Sequence, residues 1–131
     1  MSGIKVLLVD DEVHFVGTLN KRLSKREYEV MEAHSGEEAL DILQIFDADV
    51  IVLDVKMVGM DGLTALHKIK TDWPLMEVIM LTGHASVEVA IRGMELGAFD
   101  YLMKPMDFEE LLYKLEDAAK QKRIKEDKMN R

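Results

Sequence analysis

Five short apolar, β-branched runs punctuate this chain: Ile4–Val9, Val30 with its neighbours, Val50–Leu53, Val78–Leu81 and Phe99–Met103. Between them, apolar residues recur at helical spacing. Val16, Leu19 and Leu23 fall at i, i+3 and i+7 in the first helical stretch, and Phe108, Leu111, Leu112 and Leu115 form a similar stripe in the last. Strand-like runs that alternate with helical patterns predict βαβ units, and so an α/β domain with five parallel strands and five helices. Ser35 stands three residues before Glu38 and Asp107 three before Glu110, which reads as a capping box at two helix starts. Gly59-Met60-Asp61-Gly62 marks the loop after the third strand, and Gly97 marks the end of the fourth helix.

Composition narrows the picture. A chain of 131 residues with 48% hydrophobic content suits a single domain with a real core. The absence of cysteine excludes disulfides and thiolate metal sites. No apolar stretch is long enough to span a membrane and no secretory pattern opens the chain, so a cytoplasmic protein with no membrane partner is expected. Net charge is −8, with six Lys or Arg against Glu126 and Asp127 leaving residues 120–131 at +4 and the remainder at −12. So acidic a body argues against nucleic-acid binding by the domain. Residues 120–131 read as a basic, solvated extension of the last helix or a linker, with a nucleic-acid contact as the alternative. The ten Met read as adaptable core filler. His14, His34, His67 and His84 lack helical metal-ligand spacing, and Phe15 is a candidate contact for a partner.

The chemistry lies at the strand ends. In a parallel sheet all carboxyl ends share one edge, where ligands bind. Here those ends carry Asp10 and Asp11, Asp54, Thr82, and Lys104 followed by Pro105. Carboxylates crowded together are costly unless a cation or a proton offsets their repulsion. Three carboxylates, a hydroxyl and an ammonium are what phosphoryl transfer uses: hard oxygen ligands for Mg2+, a carboxylate nucleophile, and donors for the transferred group's oxygens. On this reading Asp54, from a central strand, is the nucleophile, Asp10 and Asp11 hold the metal, and Thr82 and Lys104 bind phosphoryl oxygens.

Val9-Asp10-Asp11-Glu12, Leu53-Asp54, Gly59-Met60-Asp61-Gly62, Leu81-Thr82 and Gly97-Ala98-Phe99-Asp100-Tyr101-Leu102-Met103-Lys104-Pro105 together resemble the receiver domain of two-component response regulators. The resemblance spans about residues 3–119, and residues 1–119 are taken as the receiver domain. It implies a flavodoxin-like, doubly wound sheet of order 2-1-3-4-5 and phosphorylation of Asp54 by a sensor histidine kinase or histidine phosphotransfer protein. It places Mg2+ on Asp11, Asp54 and the backbone carbonyl of Lys56, with Asp10 acting mainly through water. Thr82 and Tyr101 become a switch pair, Lys56 and His84 tune the phosphoryl lifetime, and Pro105 follows Lys104 through a cis peptide bond. A homodimer through the fourth helix, fifth strand and fifth helix is also implied. The chain departs from the family at Val58, where Pro is common, so a more mobile loop is expected there.

The function expected is thus a phosphorylation-dependent signalling switch that catalyses only its own phosphorylation and dephosphorylation. One rival is a phosphatase or phosphotransferase of the haloacid-dehalogenase type, whose Asp-x-Asp signature Asp10-Asp11-Glu12 does not supply. Another is a receiver-like interaction module that is never phosphorylated, against which the intact Asp10, Asp11, Asp54, Thr82 and Lys104 argue.

Overall fold

The computed structural model describes residues 3–57, 59–83 and 87–130. Five strands, β1 (Lys5–Val9), β2 (Glu29–Ala33), β3 (Val50–Asp54), β4 (Glu77–Thr82) and β5 (Asp100–Met103), alternate with helices α1 (Val13–Lys25), α2 (Gly36–Leu43), α3 (Gly62–Asp72), α4 (Val87–Glu95) and α5 (Phe108–Met129). All pairings are parallel and the order is β2-β1-β3-β4-β5, as the resemblance implies. Strand boundaries differ from the sequence expectation by a residue or two. Polar Asp54, Glu77 and Thr82 lie inside strands because the ladder continues past the apolar run.

Alternation along each strand divides the core in two. Val6, Leu8, Val50, Val52, Ile79 and Leu81 face α1 and α5, where Val16, Leu19, Leu23, Leu111 and Leu115 bury the expected stripes. Leu7, Val9, Ile51, Leu53, Val78 and Met80 face the other way, against Leu43, Leu66 and Ile69.

Helix ends follow local chemistry, with small departures. Ser35 accepts from the Glu38 amide as expected, but the Glu38 carboxylate returns to the His34 amide and not to Ser35. Asp107 caps α5 through the Glu109 amide, and Asp61 caps α3 through Thr64. Gly97 ends α4 with φ +104°, while the Gly97 and Ala98 amides donate to Met94 and Gly93, a Schellman-type close.

The structure agrees with the basic tail as an extension of the last helix and corrects the expectation of solvation at Lys122. Helix α5 continues through the tail, and Lys122 is only 3% exposed. Its Nζ lies 3.2 Å from Asp49 Oδ1, 3.5 Å from Glu126 and 3.6 Å from Asp47. Lys125 pairs with the buried Glu77 at 2.8 Å, and Lys70 approaches the same carboxylate at 3.7 Å. Asp49 and Glu77 sit where β3 and β4 begin, so this ionic cluster lies at the amino-terminal edge of the sheet. Lys122 and Lys125, which look solvated by composition, each pair with an acid far away in sequence.

Candidate functional site

The opposite edge carries the site. Because β1 lies between β2 and β3, strand order reverses there, and the carboxyl ends of β1 and β3 open a crevice. Asp54 ends β3 and Asp10 follows β1, with exposures of 4% and 2%. Thr82 ends β4 and is buried, while Lys104 follows β5. The Lys104 amide donates to the Thr82 carbonyl at 2.8 Å, so these two positions are tied through the backbone. The peptide bond between Lys104 and Pro105 is cis.

The loop after Asp54 is fixed from below. Its Oδ1 accepts from the Lys56 amide at 3.2 Å, and the Gly62 amide donates to the Val55 carbonyl at 2.9 Å. A Cβ on Gly62 would lie 2.4 Å from Val55 Cα and 2.7 Å from the Asp54 carbonyl oxygen, so only glycine lets α3 start this close to β3.

Electrostatics in the crevice are strained. Burial pushes the Asp54 carboxyl up to about 6, the neighbouring Asp10 charge adds to the rise, and Lys104 together with the Lys56 amide opposes it. Lys104 Nζ sits 2.8 Å from Asp10 Oδ2, 2.7 Å from Glu12 Oε2 and 3.8 Å from Asp54 Oδ2. Burial lowers the Lys104 pKa, but its bonds to Asp10 and Glu12 and the nearby charges leave it raised overall.

Oxygens of Asp10, Glu12 and Asp54 all lie within 4.8 Å of one another. Such a hard-oxygen set fits a divalent cation of the Mg2+ class. Its membership departs from the sequence reading, because Glu12 is in the group and Asp11 is not. Asp10 Oδ1 accepts from the Glu12 amide at 2.9 Å, a side-chain turn that keeps these two residues together at the rim. The signal for Glu12 was present in the acidic run itself, at the i+2 position from Asp10.

The remaining candidates lie around the rim. Tyr101 is 41% exposed and, with Thr82, Val87, Ile91, Met94 and Met103, lines a groove of about 490 Å3 between α4 and β5. Exposed Met94 and Met103 therefore depart from the expectation that the methionines fill the core, whereas Met76 and Met80 meet it. Phe15 is half-buried, its ring centroid 4.5 Å from Lys104 Nζ. Lys56 is exposed. His84 and Val58 lie outside the described residues. Among the described residues, no helix is long and apolar enough to cross a membrane.

Comparison with known proteins agrees with this geometry. The family described as "Response regulator receiver domain" matches residues 6–116. The transcriptional regulatory protein ZraR of Escherichia coli K12 is 38% identical over 116 residues, covering 88% of this chain and 26% of that protein. The DNA-binding transcriptional regulator NtrC of Klebsiella pneumoniae is 38% identical over 103 residues, covering 79% and 22%. This chain thus spans about a quarter of the length of the curated relatives it matches. A receiver domain protein from Clostridium thermocellum superposes with a TM-score of 0.89 at 35% identity, covering 93% of this chain and 98% of that one. These findings give no support to the haloacid-dehalogenase alternative or to an unphosphorylated module. With the five-stranded order, the acidic crevice and the family match in agreement, the chain belongs to the response regulator receiver domain family, the signalling module of two-component systems.

Proposed function

We propose that Asp54 accepts a phosphoryl group from the phosphohistidine of a sensor histidine kinase or a histidine phosphotransfer protein. The observation that carries this reading is a buried carboxylate at the sheet's switch point, with an acidic neighbour, Asp10, and a lysine ammonium 3.8 Å away. Held near 6, the Asp54 carboxyl is ionised at neutral pH yet more basic than an exposed aspartate, and so a better nucleophile. Its oxygen attacks phosphorus, the P–N bond breaks, and the electron pair departs on the imidazole nitrogen of the donor.

Asp11, Asp54 and the Lys56 carbonyl would hold Mg2+, with Asp10 acting through water; Glu12, although its oxygen lies in the same cluster, is left out of the ligand set because its carboxylate is bonded to Lys104. Bound there, the ion would supply charge neutralisation for the phosphoryl oxygens. Lys104 and Thr82 donate to two of those oxygens. Thr82 moves toward the phosphoryl group, and Tyr101 turns inward along the groove it shares with Thr82, so a local charge event remodels the α4–β5–α5 face. That face is the proposed homodimer surface. Lys56, and His84 beyond the described residues, tune the phosphoryl lifetime. The domain catalyses only its own phosphorylation and dephosphorylation, in the cytoplasm, and binds no nucleic acid itself.

The test is incubation with Mg2+ and acetyl phosphate, followed by mass spectrometry. One acid-stable, base-labile phosphoryl group is expected on the wild type and none on Asp54→Asn. An unmodified wild type, with a cognate kinase also tried, would sink the proposal.

A further inference from the structure

An acidic or hydroxyl side chain at a helix start ordinarily folds back onto the helix's own first amides. Glu12 is the N-cap residue of α1 and makes no such bond. Its carboxylate instead crosses to Lys104 Nζ, 92 residues away, at 2.7 Å. The same ammonium meets Asp10 at 2.8 Å and stands 4.5 Å from the centroid of the Phe15 ring. Glu12 and Phe15, at the start of α1, thus draw it to one side. Asp54 Oδ2 stays at 3.8 Å, beyond hydrogen-bond distance.

The two carboxylates that hold Lys104 differ in their surroundings. Asp10 has a side-chain exposure of 3%, and losing its partner would leave a buried charge uncompensated. Glu12 is 63% exposed, so water replaces its bond to Lys104 at little cost. When Lys104 moves toward Asp54, the Glu12 contact is the one that gives.

From this geometry we propose that Glu12 is a positioning residue that holds the Lys104 ammonium back from Asp54 and competes for it with the phosphoryl group. The inference rests on Asp54 being the phosphoryl acceptor. In its absence Lys104 would already lie closer to the phosphoryl position, and the phosphorylated state would be favoured.

The experiment measures affinity for beryllofluoride, a phosphoryl mimic, in saturating Mg2+, together with the rate of phosphorylation by acetyl phosphate. Four chains are compared: wild type, Glu12→Gln, Lys104→Ala and the double variant. Removing a competing pair this exposed is expected to tighten beryllofluoride binding and to speed phosphorylation by about two- to fivefold. In the Lys104→Ala background the Glu12→Gln change should have no effect on either quantity, and Mg2+ affinity measured alone by calorimetry should stay within about twofold of the wild type. Unchanged affinity and rate in Glu12→Gln would overturn the proposal. An equal gain in the Lys104→Ala background would also overturn it, because the effect would then be bulk charge. A loss of Mg2+ affinity of about tenfold or more would make Glu12 a metal ligand and overturn it as well. A wild type that neither binds beryllofluoride nor accepts phosphate would instead bring down the acceptor reading, and this inference with it.

Discussion

Replacing Asp54 with Asn should make the metal-free protein more stable, even though it removes the proposed reactive group. Burial and the Asp10 charge raise the Asp54 carboxyl from 3.8 to about 6. A rise of that size corresponds to at most about 3 kcal/mol of destabilisation once the group is ionised. Solvent screening at the rim of the crevice brings the expected value to about 1–2 kcal/mol. The sign follows from proton counting. Between about pH 4 and 6 the native state keeps a proton that the unfolded chain has released, so Asp54 makes stability fall as pH rises through that window. Asn is neutral throughout and accepts the Lys56 amide through its own Oδ1. The advantage of Asp54→Asn should therefore be absent below about pH 4, grow through the window, and hold above about pH 6.5. Urea denaturation followed by circular dichroism, in EDTA and at several pH values, measures this. The gain at neutral pH should raise the melting temperature by about 4–8 °C. Added Mg2+ should close part of the gap by stabilising the wild type more than the variant. Equal stability at neutral pH, or an advantage just as large at about pH 4, would show that the crevice is not electrostatically strained as described.

Two further outcomes concern the scaffold. Gly62→Ala should cost about 2 kcal/mol or more, because its Cβ would meet Val55 and Asp54 main-chain atoms at 2.4–2.8 Å, and chemical shifts of the Val55–Met57 loop should move; a change within about 0.5 kcal/mol would contradict that packing. Lys122→Ala should cost about 2–3 kcal/mol in urea titrations by leaving Asp49 short of a partner and the side chain's volume empty, whereas Lys122→Met, which refills the volume but not the charge, should recover only part of that loss; full recovery by Met would mean that packing rather than charge holds the tail.

Much of this fold is legible from periodicity, because a two-faced sheet writes itself into alternating residues. Val6 and Leu8 go to one side and Leu7 and Val9 to the other, and the stripes of α1 and α5 complete the side that receives Val6 and Leu8. Strand-end placement likewise brings Asp10, Asp54 and Lys104 into one crevice and ties Lys104 to Thr82. What sequence reading misses are pairings between residues distant in the chain. Glu12 reads as a helix-start acid until Lys104 is seen beside it. Lys122 reads as a solvated cation because nothing local in residues 120–131 reveals Asp49, which lies 73 residues away. Met94 and Met103 show the same limit, since apolar character alone does not distinguish core from the wall of an open groove.

The ionic cluster on α5 has a consequence for anyone joining another module to this domain. Apolar stripes tolerate some sliding and rolling of a helix, but Lys122 on Asp49 and Lys125 on Glu77 are directional contacts near the helix end. They fix the azimuth at which α5 leaves the sheet. A helical fusion continued in phase from Met129 would inherit that azimuth, and each inserted residue would turn the attached module by about 100° and advance it by about 1.5 Å. A set of four fusions differing by single residues would thus sample a full turn of orientations, with Glu77 and Asp49 as the fixed reference marks.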